Sequence, residues 1–508
     1  MKFLELLDGV ELVASPAQAA NPEISALEYD SRRVKPGTLF LAMRGESSDG
    51  NRFVEQAIAA GAVAVVTDSD RELPGVAWAR VLHGRRALAT LSANFYRHPA
   101  AKLGITGITG TNGKSTTAFL IEAILRAAGR KGALVGTIEY HVGERVFPAP
   151  HTTPESLDLH RLFCETVEIG GTEAVMEVSS HALAQGRTYG IPFDVAVFTN
   201  LTRDHLDYHK SMDEYFDAKK ILFSGSGSGS GSGSPPPRVT VLNADDEYAM
   251  KLVEFSKSQG SLVLTYGWSK ADFHATKIEI TPRGTRFQLN CPKGTVSVSS
   301  CLIGRVNVYN ILAASAAAVA RGCSLESVAA GAAALKSVPG RFEGVDCSQP
   351  FTVVVDYAHT DDALRNLTSL AREFVKQNSG RVITLFGCGG DRDRTKRPLM
   401  GEAAGKGSDF VVLTSDNPRS EDPLAVINDA VVGLQRSGAR YKTELDRRAA
   451  IGLAIGEARS GDIVLIAGKG HEKTQISRTG TVPFDDREVA AEVLRDLGYT
   501  NSNEEETA

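Results

Sequence analysis

Short apolar runs alternate with polar, turn-forming segments along nearly the whole chain. In the first hundred residues, Gly37-Thr38-Leu39-Phe40-Leu41-Ala42 and Gly61-Ala62-Val63-Ala64-Val65-Val66 have the continuity of buried strands, and residues 54–60 carry apolar positions at helical spacing. That mixture predicts a small α/β unit over residues 1–100, ended by the chain-breaking His98-Pro99. A second strand–helix–strand pattern opens at Leu103-Gly104-Ile105-Thr106-Gly107 and fills residues 101–338. After Val338-Pro339-Gly340-Arg341-Phe342-Glu343 a third begins. Its apolar segments 352–355, 382–386, 410–413 and 463–466 alternate with helical stretches, which predicts a doubly wound, Rossmann-like unit over residues 339–508. The fold class is therefore α/β in three units.

Two segments stand outside this pattern. Residues 224–234 alternate Ser and Gly and lead into Pro235-Pro236-Pro237; with no side chains to bury, they are expected to form a flexible loop outside any catalytic motif. The polar, acidic tail 501–508 is expected to be disordered.

Composition narrows the function. A chain of 508 residues exceeds one hydrophobic core, and 42% hydrophobic with 23% charged residues is ordinary for a soluble protein. With 56 basic against 61 acidic residues the net charge is −5, so no nucleic-acid partner is expected and anionic ligands must meet local basic clusters. Cys164, Cys291, Cys301, Cys323, Cys347 and Cys388 form no C-x-x-C pair and no metal-ligand spacing, which reads as free thiols in a reducing compartment. Ala17-Gln18-Ala19 resembles a signal-peptidase site, but Glu5, Asp8 and Glu11 interrupt any apolar stretch before it. No apolar run is long enough to span a bilayer. A cytoplasmic protein without membrane insertion is expected.

The strongest local chemistry is Gly107-Ile108-Thr109-Gly110-Thr111-Asn112-Gly113-Lys114-Ser115-Thr116-Thr117, between an apolar strand and a helical stretch at residues 118–128. Glycines let several N–H groups face one anion, and the helix N-terminus adds partial positive charge. Lys114 would neutralise β/γ-phosphate oxygens and the Ser115 hydroxyl would ligate Mg²⁺. The strict G-x-x-x-x-G-K-S form is not met, because Ile108 stands five positions before Gly113. A Gly-rich turn before a helix is the bland alternative; nucleoside triphosphate binding is the expectation.

The Gly-Thr-Asn-Gly-Lys-Ser variant resembles that of the Mur ligases and the related folylpolyglutamate synthetases. Further motifs extend the resemblance over nearly the whole chain. Asp30-Ser31-Arg32-Arg33-Val34-Lys35-Pro36-Gly37 with Asp49-Gly50 resembles the Mur ligase family's UDP-binding first domain. Met176-Glu177-Val178-Ser179-Ser180-His181, residues 200–207 and Asn243-Ala244-Asp245-Asp246 resemble its central P-loop ATPase domain. Asp356-Tyr357-Ala358-His359, Gly389-Gly390-Asp391-Arg392-Asp393 and Gly468-Lys469-Gly470-His471-Glu472 resemble its third domain. The resemblance implies an ATP-dependent, ADP-forming amide ligase of peptidoglycan synthesis. It would add meso-diaminopimelate to UDP-N-acetylmuramoyl-L-alanyl-D-glutamate through an acyl phosphate, and act as a monomer on small-molecule substrates.

The resemblance also assigns residues. ATP would be met by Gly110, Thr111, Asn112, Gly113, Lys114, Ser115, Thr116, Asn243, Asn307, Asn310, Arg341 and Asp356. Mg²⁺ would be met by Ser115, Glu177, His205 and carbamylated Lys219, and Lys114, Glu177, His205 and Lys219 form the catalytic set. Carbamylation by CO₂ turns an amine into an anion, a change of about two charge units relative to ammonium that lets the side chain orient a metal instead of repelling it. Helical spacing alone does not choose Lys219 over Lys220. Ser31 would touch the uridine end of the UDP-substrate, and Thr152, Thr153, Ser179, Gln185 and Arg187 its muramoyl-dipeptide part. One departure is visible: Asp361 stands where the family usually has Pro, a change expected to leave the chemistry intact.

For the acceptor amino acid, Asp416-Asn417-Pro418-Arg419 follows the strand-like segment 411–413, at the end of a sheet where α/β units bind ligands. It is also a plausible turn before a helix. A guanidinium holds a carboxylate by two parallel bonds, and meso-diaminopimelate differs from lysine by one terminal carboxylate. The resemblance accordingly assigns Arg392, Asp416, Asn417, Arg419, Gly468 and Glu472 to the acceptor, with Glu472 on its distal ammonium. The competing readings are a lysine-adding relative, separated by Arg419; a folylpolyglutamate synthetase, disfavoured by the first domain; and a non-catalytic ATP-binding switch, disfavoured by Glu177, His205 and Lys219.

Overall fold

The computed structural model describes residues 1–14, 20–45, 48–73, 75–225, 234–281, 283–376 and 379–499. The Ala17-Gln18-Ala19 motif, the Ser-Gly tract from 226 to 233 and the tail 501–508 lie outside the described residues. Among those described, no helix is long and apolar enough to cross a membrane.

Among the described residues three large sheets carry the chain, beside a two-stranded ribbon of Thr474–Ser477 and Gly480–Pro483. The first is five-stranded, in the order Leu12–Ala14, Ala77–Val81, Ala62–Thr67, Thr38–Ala42, Ala26–Glu28; only the pairing of Leu12–Ala14 is antiparallel. The expected strands at 37–42 and 61–66 sit at its centre, buried because helices or loops cover both faces. The Tyr29 hydroxyl donates to Asp158 at 2.8 Å and Leu157 enters this unit's core, which ties it to the next one.

The second sheet has eleven strands. Its parallel centre places Gly104–Thr109 between Glu173–Glu177 and Val195–Phe198, with apolar clusters on both faces. The helix after the phosphate loop spans Lys114–Ala127, four residues earlier than the apolar spacing predicts. Its first turn is Lys-Ser-Thr-Thr, so the hydrophobic period begins only one turn in; Gly113, at φ 86°, lets the helix start at once. Against it packs Arg305–Ala320, a helix of small apolar residues buried on almost every side. Antiparallel strands extend both edges, Phe273–Thr281 to Gly294–Ser300 on one and Glu139–Val142 with Arg145–Pro148 on the other. The strand–helix alternation did not foretell them.

The edge hairpin holds a buried His141. Its Nδ1 lies 2.8 Å from Glu122 and its Nε2 2.9 Å from Glu139, joining the phosphate-loop helix to the edge. Burial pushes the imidazole pKa down, but the two carboxylates outweigh it and the net shift is upward. Because the folded-state pKa exceeds the unfolded value, the stabilisation is fully present below the unfolded pKa of about 6.5 and is lost as pH rises through the raised value. Melting temperatures measured from pH 6 to 9 should therefore fall more for the wild type than for His141→Gln; parallel curves would contradict this.

The third sheet runs Glu343–Val345, Thr352–Asp356, Ile463–Ala467, Val382–Cys388, Phe410–Ser415, Tyr441–Glu444, parallel apart from its first strand. This is the doubly wound pattern expected of the region, with cores on both faces. Asp361 opens the helix Asp361–Val375 behind the Thr360 cap. A first-turn carboxylate there complements the helix dipole as proline would suit the first-turn φ, so the departure costs the fold nothing visible.

Candidate functional site

The phosphate loop is held by the segment that follows strand Val195–Phe198. Thr111 N–H donates to the Asn200 carbonyl at 2.8 Å, Asn112 N–H to Asn200 Oδ1 at 3.0 Å, and Thr199 Oγ1 to the Asn112 carbonyl at 2.7 Å. Gly110 cannot carry a side chain: a Cβ there would stand 1.9 Å from Thr199 Oγ1. Lys114 Nζ donates to the carbonyls of Gly110 at 3.1 Å and Thr111 at 2.9 Å. Burial lowers its pKa, opposed by the nearby Glu177 carboxylate.

A cavity of about 420 Å³ opens over this loop, between the central and third units. Thr111, Asn112, Gly113, Lys114, Ser115, Thr116, Asn243, Asn307, Asn310, Arg341 and Asp356 all line it. Gly110 is the one residue of the expected ATP set that does not; it lies beneath, turning its carbonyl to Lys114 and Lys219. From the third unit, Arg341 packs 4.5 Å over the Tyr357 ring and donates to Ser115 Oγ at 3.2 Å, while Asp362 accepts from Asn112 Nδ2 at 3.0 Å. Asp356 accepts from Phe342 N–H and Ala358 N–H; burial raises its pKa.

Glu177 reaches the same cavity from the end of its strand, with its two oxygens receiving the N–H and hydroxyl of Thr137 at 2.8 and 3.0 Å. A Cβ at Gly136 would strike Glu177 Oε1 at 2.5 Å, so the carboxylate owes its position to that glycine. Lys219 and His205 do not line the cavity. Lys219 is buried under the loop, donating to the Gly110 carbonyl at 2.8 Å; burial and the Lys114 cation drive its pKa well down. Lys220 turns away, its Nζ 4.2 Å over the Phe255 ring. The two lysines that spacing leaves equivalent thus have distinct surroundings. His205 stands just before a short helix at φ 53°, beside His181 and Asp204, and burial brings its pKa down to about 3. Among the described residues no three His, Cys, Asp or Glu side chains converge as a metal cage.

Of the residues expected to meet the UDP-substrate, Thr152, Thr153, Ser179, Gln185 and Arg187 come together around the Glu177 strand. Thr152 Oγ1 lies 3.0 Å from Thr137 Oγ1, and Thr153 Oγ1 donates to the Glu177 carbonyl at 2.9 Å while accepting from Ser179 N–H at 3.1 Å. Arg187 donates to Gln185 at 3.0 Å and to the Thr153 carbonyl at 2.9 Å. Ser31 stands apart in the first unit, its hydroxyl donating to Gln56 at 3.4 Å. Glu155, which pairs with both Arg187 and Arg85 at 3.3 Å, was not singled out by its motif.

The residues expected to meet the acceptor gather at the carboxyl ends of the third sheet. Asn417 is its pivot: its Nδ2 donates to Glu472 at 2.8 Å, and its carbonyl lies 3.4 Å from Arg419. Arg419, at φ 52°, also donates to the Gly390 carbonyl at 2.7 Å. A Cβ at Gly389 would lie 3.0 Å from Arg419 and 3.7 Å from Arg392, so two guanidinium side chains flank one glycine. Burial, then the Arg392 charge, lowers the Arg419 pKa. Gly468, at φ 115°, donates its N–H to the Asp356 carbonyl. Lys469 was missed by motif reading. Fully buried, it reaches Asn417 at 3.1 Å, Glu472 at 3.3 Å and Asp416 at 3.4 Å, so Glu472 already has one cationic neighbour. Beneath them lies a buried Arg447–Asp486 pair at 2.6 Å, with Arg447 also donating to the Ala467 carbonyl.

Known proteins match this arrangement throughout. The profile of the Mur ligase family catalytic domain matches residues 23–96, that of the Mur ligase middle domain 108–318, and that of the Mur ligase glutamate ligase domain 340–470. UDP-N-acetylmuramoyl-L-alanyl-D-glutamate–2,6-diaminopimelate ligase of Solibacter usitatus is 54% identical over 503 residues, covering 98% of this chain and 99% of its own. The enzyme of the same name from Geobacillus thermodenitrificans is 48% identical over 480 residues, with 94% and 96% covered. A solved structure of a ligase of that name aligns at TM-score 0.67 and 33% identity, covering 98% of this chain and 100% of that one. The chain belongs to the Mur ligase family.

Proposed function

We propose that this chain uses ATP to join meso-diaminopimelate to the D-glutamyl γ-carboxylate of UDP-N-acetylmuramoyl-L-alanyl-D-glutamate, a step of peptidoglycan synthesis. The observation that carries the choice of acceptor is Asn417, flanked by the Arg419 guanidinium on one side and the Glu472 carboxylate on the other. The distal carbon of meso-diaminopimelate bears both an ammonium and a carboxylate, and each meets an opposite charge there. Lysine would leave the arginine pair without a partner.

The reaction divides between the units, with borders near residues 100 and 338. The first unit, through Ser31, holds the uridine end. Thr152, Thr153, Ser179, Gln185 and Arg187 hold the muramoyl dipeptide beside Glu177. The loop N–H groups and Lys114 bind the ATP phosphates, and Asn243, Asn307 and Asn310 line the nucleoside side. Phosphoryl transfer to the γ-carboxylate gives an acyl phosphate; the acceptor amine attacks its carbonyl carbon, and phosphate leaves as the tetrahedral intermediate collapses. Two of the expected donors fit Mg²⁺: the Ser115 hydroxyl and Glu177 carboxylate are hard oxygens that both line the cavity, while His205, held neutral, lies outside it. When bound, the ion supplies charge neutralisation between phosphate and carboxylate oxygens. Lys219, whose ammonium form is disfavoured by burial and by the Lys114 cation, would add CO₂ through its amine and lose a proton to give a carbamate. The same reading makes the enzyme a cytoplasmic monomer.

Arg419 provides the test. In Arg419→Ala and Arg419→Lys, kcat/KM for meso-diaminopimelate should fall on the order of 10- to 100-fold, the equivalent of losing a charge-assisted bond worth about 1.5–3 kcal/mol. Lysine offers a point charge where the fork is needed. ATP affinity should not move, and L-lysine should remain a poor acceptor in both variants. An equal loss for both acceptors would remove the specificity assignment and leave the ligase reading standing.

A further inference from the structure

The central and third units meet through polar contacts around the cavity, and one of these is incomplete. Arg203, in the segment after strand Val195–Phe198, donates from Nη2 to Thr395 Oγ1 of the third unit at 2.6 Å. Its Nε stands 3.8 Å from Asp393 Oδ2. Both of these atoms are buried, and neither has a hydrogen-bond partner. The other Asp393 oxygen is already committed to Thr395, whose N–H donates to it at 2.8 Å.

A buried guanidinium N–H and a buried carboxylate oxygen left unpaired are costly. They face each other about 1 Å beyond the 2.7–2.9 Å of a charged hydrogen bond. A small approach of the third unit would convert the single bond to Thr395 into a fork on Thr395 and Asp393. Both ends of this contact adjoin the chemistry. Arg203 is two residues from His205, and between them Asp204 accepts from Lys396 of the third unit at 3.2 Å. Asp393 directly follows Arg392, which shares Gly389 with Arg419.

We infer that Arg203 and Asp393 form an interdomain latch: it closes by about 1 Å and, in closing, sets the acceptor loop against the phosphate-bearing side of the site. Arg203 and Asp393 are positioning residues, acting through Arg392 and His205. The identity of the acceptor rests on the function proposed above; the latch geometry does not.

Arg203→Ala, Asp393→Ala, the double alanine variant, the swap Arg203→Asp with Asp393→Arg, and Arg203→Lys test this in the full-length protein. Each alanine variant should raise KM for meso-diaminopimelate on the order of 10- to 100-fold while moving KM for ATP by less than about 3-fold. The double alanine variant should be no worse than the poorer single, because each removes the same bond. The swap should recover at least about 10-fold over either single, and Arg203→Lys, which keeps the charge and loses the fork, should fall between. Small-angle scattering with Mg²⁺ and a non-hydrolysable ATP analogue should show a larger radius of gyration in the alanine variants and a return toward wild type in the swap. Losses that multiply in the double variant, or a swap that recovers neither KM nor radius, would overturn the latch. If the wild type itself used no amino acid, the proposed function would fail, and scattering alone would decide the latch.

Discussion

Lys114→Ala is expected to lower ATP-dependent phosphate release on the order of 10³-fold or more, the scale on which a positioned cation acts in phosphoryl transfer. Lys114 sits at the first turn of the helix Lys114–Ala127, on the wall of the cavity proposed to hold the nucleotide, with its Nζ on the loop carbonyls and Glu177 within electrostatic reach. Among the described residues that line the cavity, no other Lys or Arg comes from the central unit; Arg341 comes from the third. The residues proposed to meet the UDP-dipeptide's muramoyl-dipeptide part bond to one another, to Thr137 and to the Glu177 backbone carbonyl rather than to Lys114. Affinity for the UDP-dipeptide, measured by calorimetry, should therefore stay within a few-fold of wild type. A parallel collapse of affinity and turnover would show that substrate and nucleotide sites are not divided as proposed.

Lys219→Ala is expected to lower turnover on the order of 10²- to 10³-fold, with partial recovery in added formate or acetate, whose oxygens stand in for the carbamate. The reason is charge. An ammonium buried beside Lys114 is unfavourable, and the carbamate proposed for Lys219 would instead put negative charge beneath the phosphate loop. Lys220→Ala should leave turnover nearly unchanged, since Lys220 lies against Phe255 on another face of the same helix. Activity that survives in Lys219→Ala and disappears in Lys220→Ala would reverse the assignment.

What the sequence made legible follows from the range of the interactions. The strands at Thr38–Ala42, Val382–Cys388 and Ile463–Ala467 are continuous apolar runs, which local pattern detects. The phosphate loop is a contiguous motif whose glycines have steric reasons visible in the structure. The edge strands Phe273–Thr281 and Gly294–Ser300 were missed because their exposed faces carry mixed polar residues and they belong to an antiparallel meander, with no helix between one strand and the next. Lys469 was passed over because its three partners come from two loops some fifty residues apart. Arg203 and Asp393 are separated by 190 residues, and only the packing of two units brings them face to face. Lys219 shows the intermediate case: spacing places it and Lys220 on one helix, and only the loop above distinguishes them.

The central claim is the pairing of ATP-driven ligation with a diaminopimelate-selective site, and one measurement addresses it most directly. Phosphate release by the purified protein is followed with ATP, Mg²⁺ and UDP-N-acetylmuramoyl-L-alanyl-D-glutamate, with meso-diaminopimelate or L-lysine as acceptor. Release should depend on the UDP-dipeptide and be strongly stimulated by meso-diaminopimelate, with kcat/KM for L-lysine lower by on the order of 10²-fold or more, as expected when a fork-bound carboxylate is absent. Equal use of both acceptors, or preference for L-lysine, would contradict the role given to Asn417, Arg419 and Glu472.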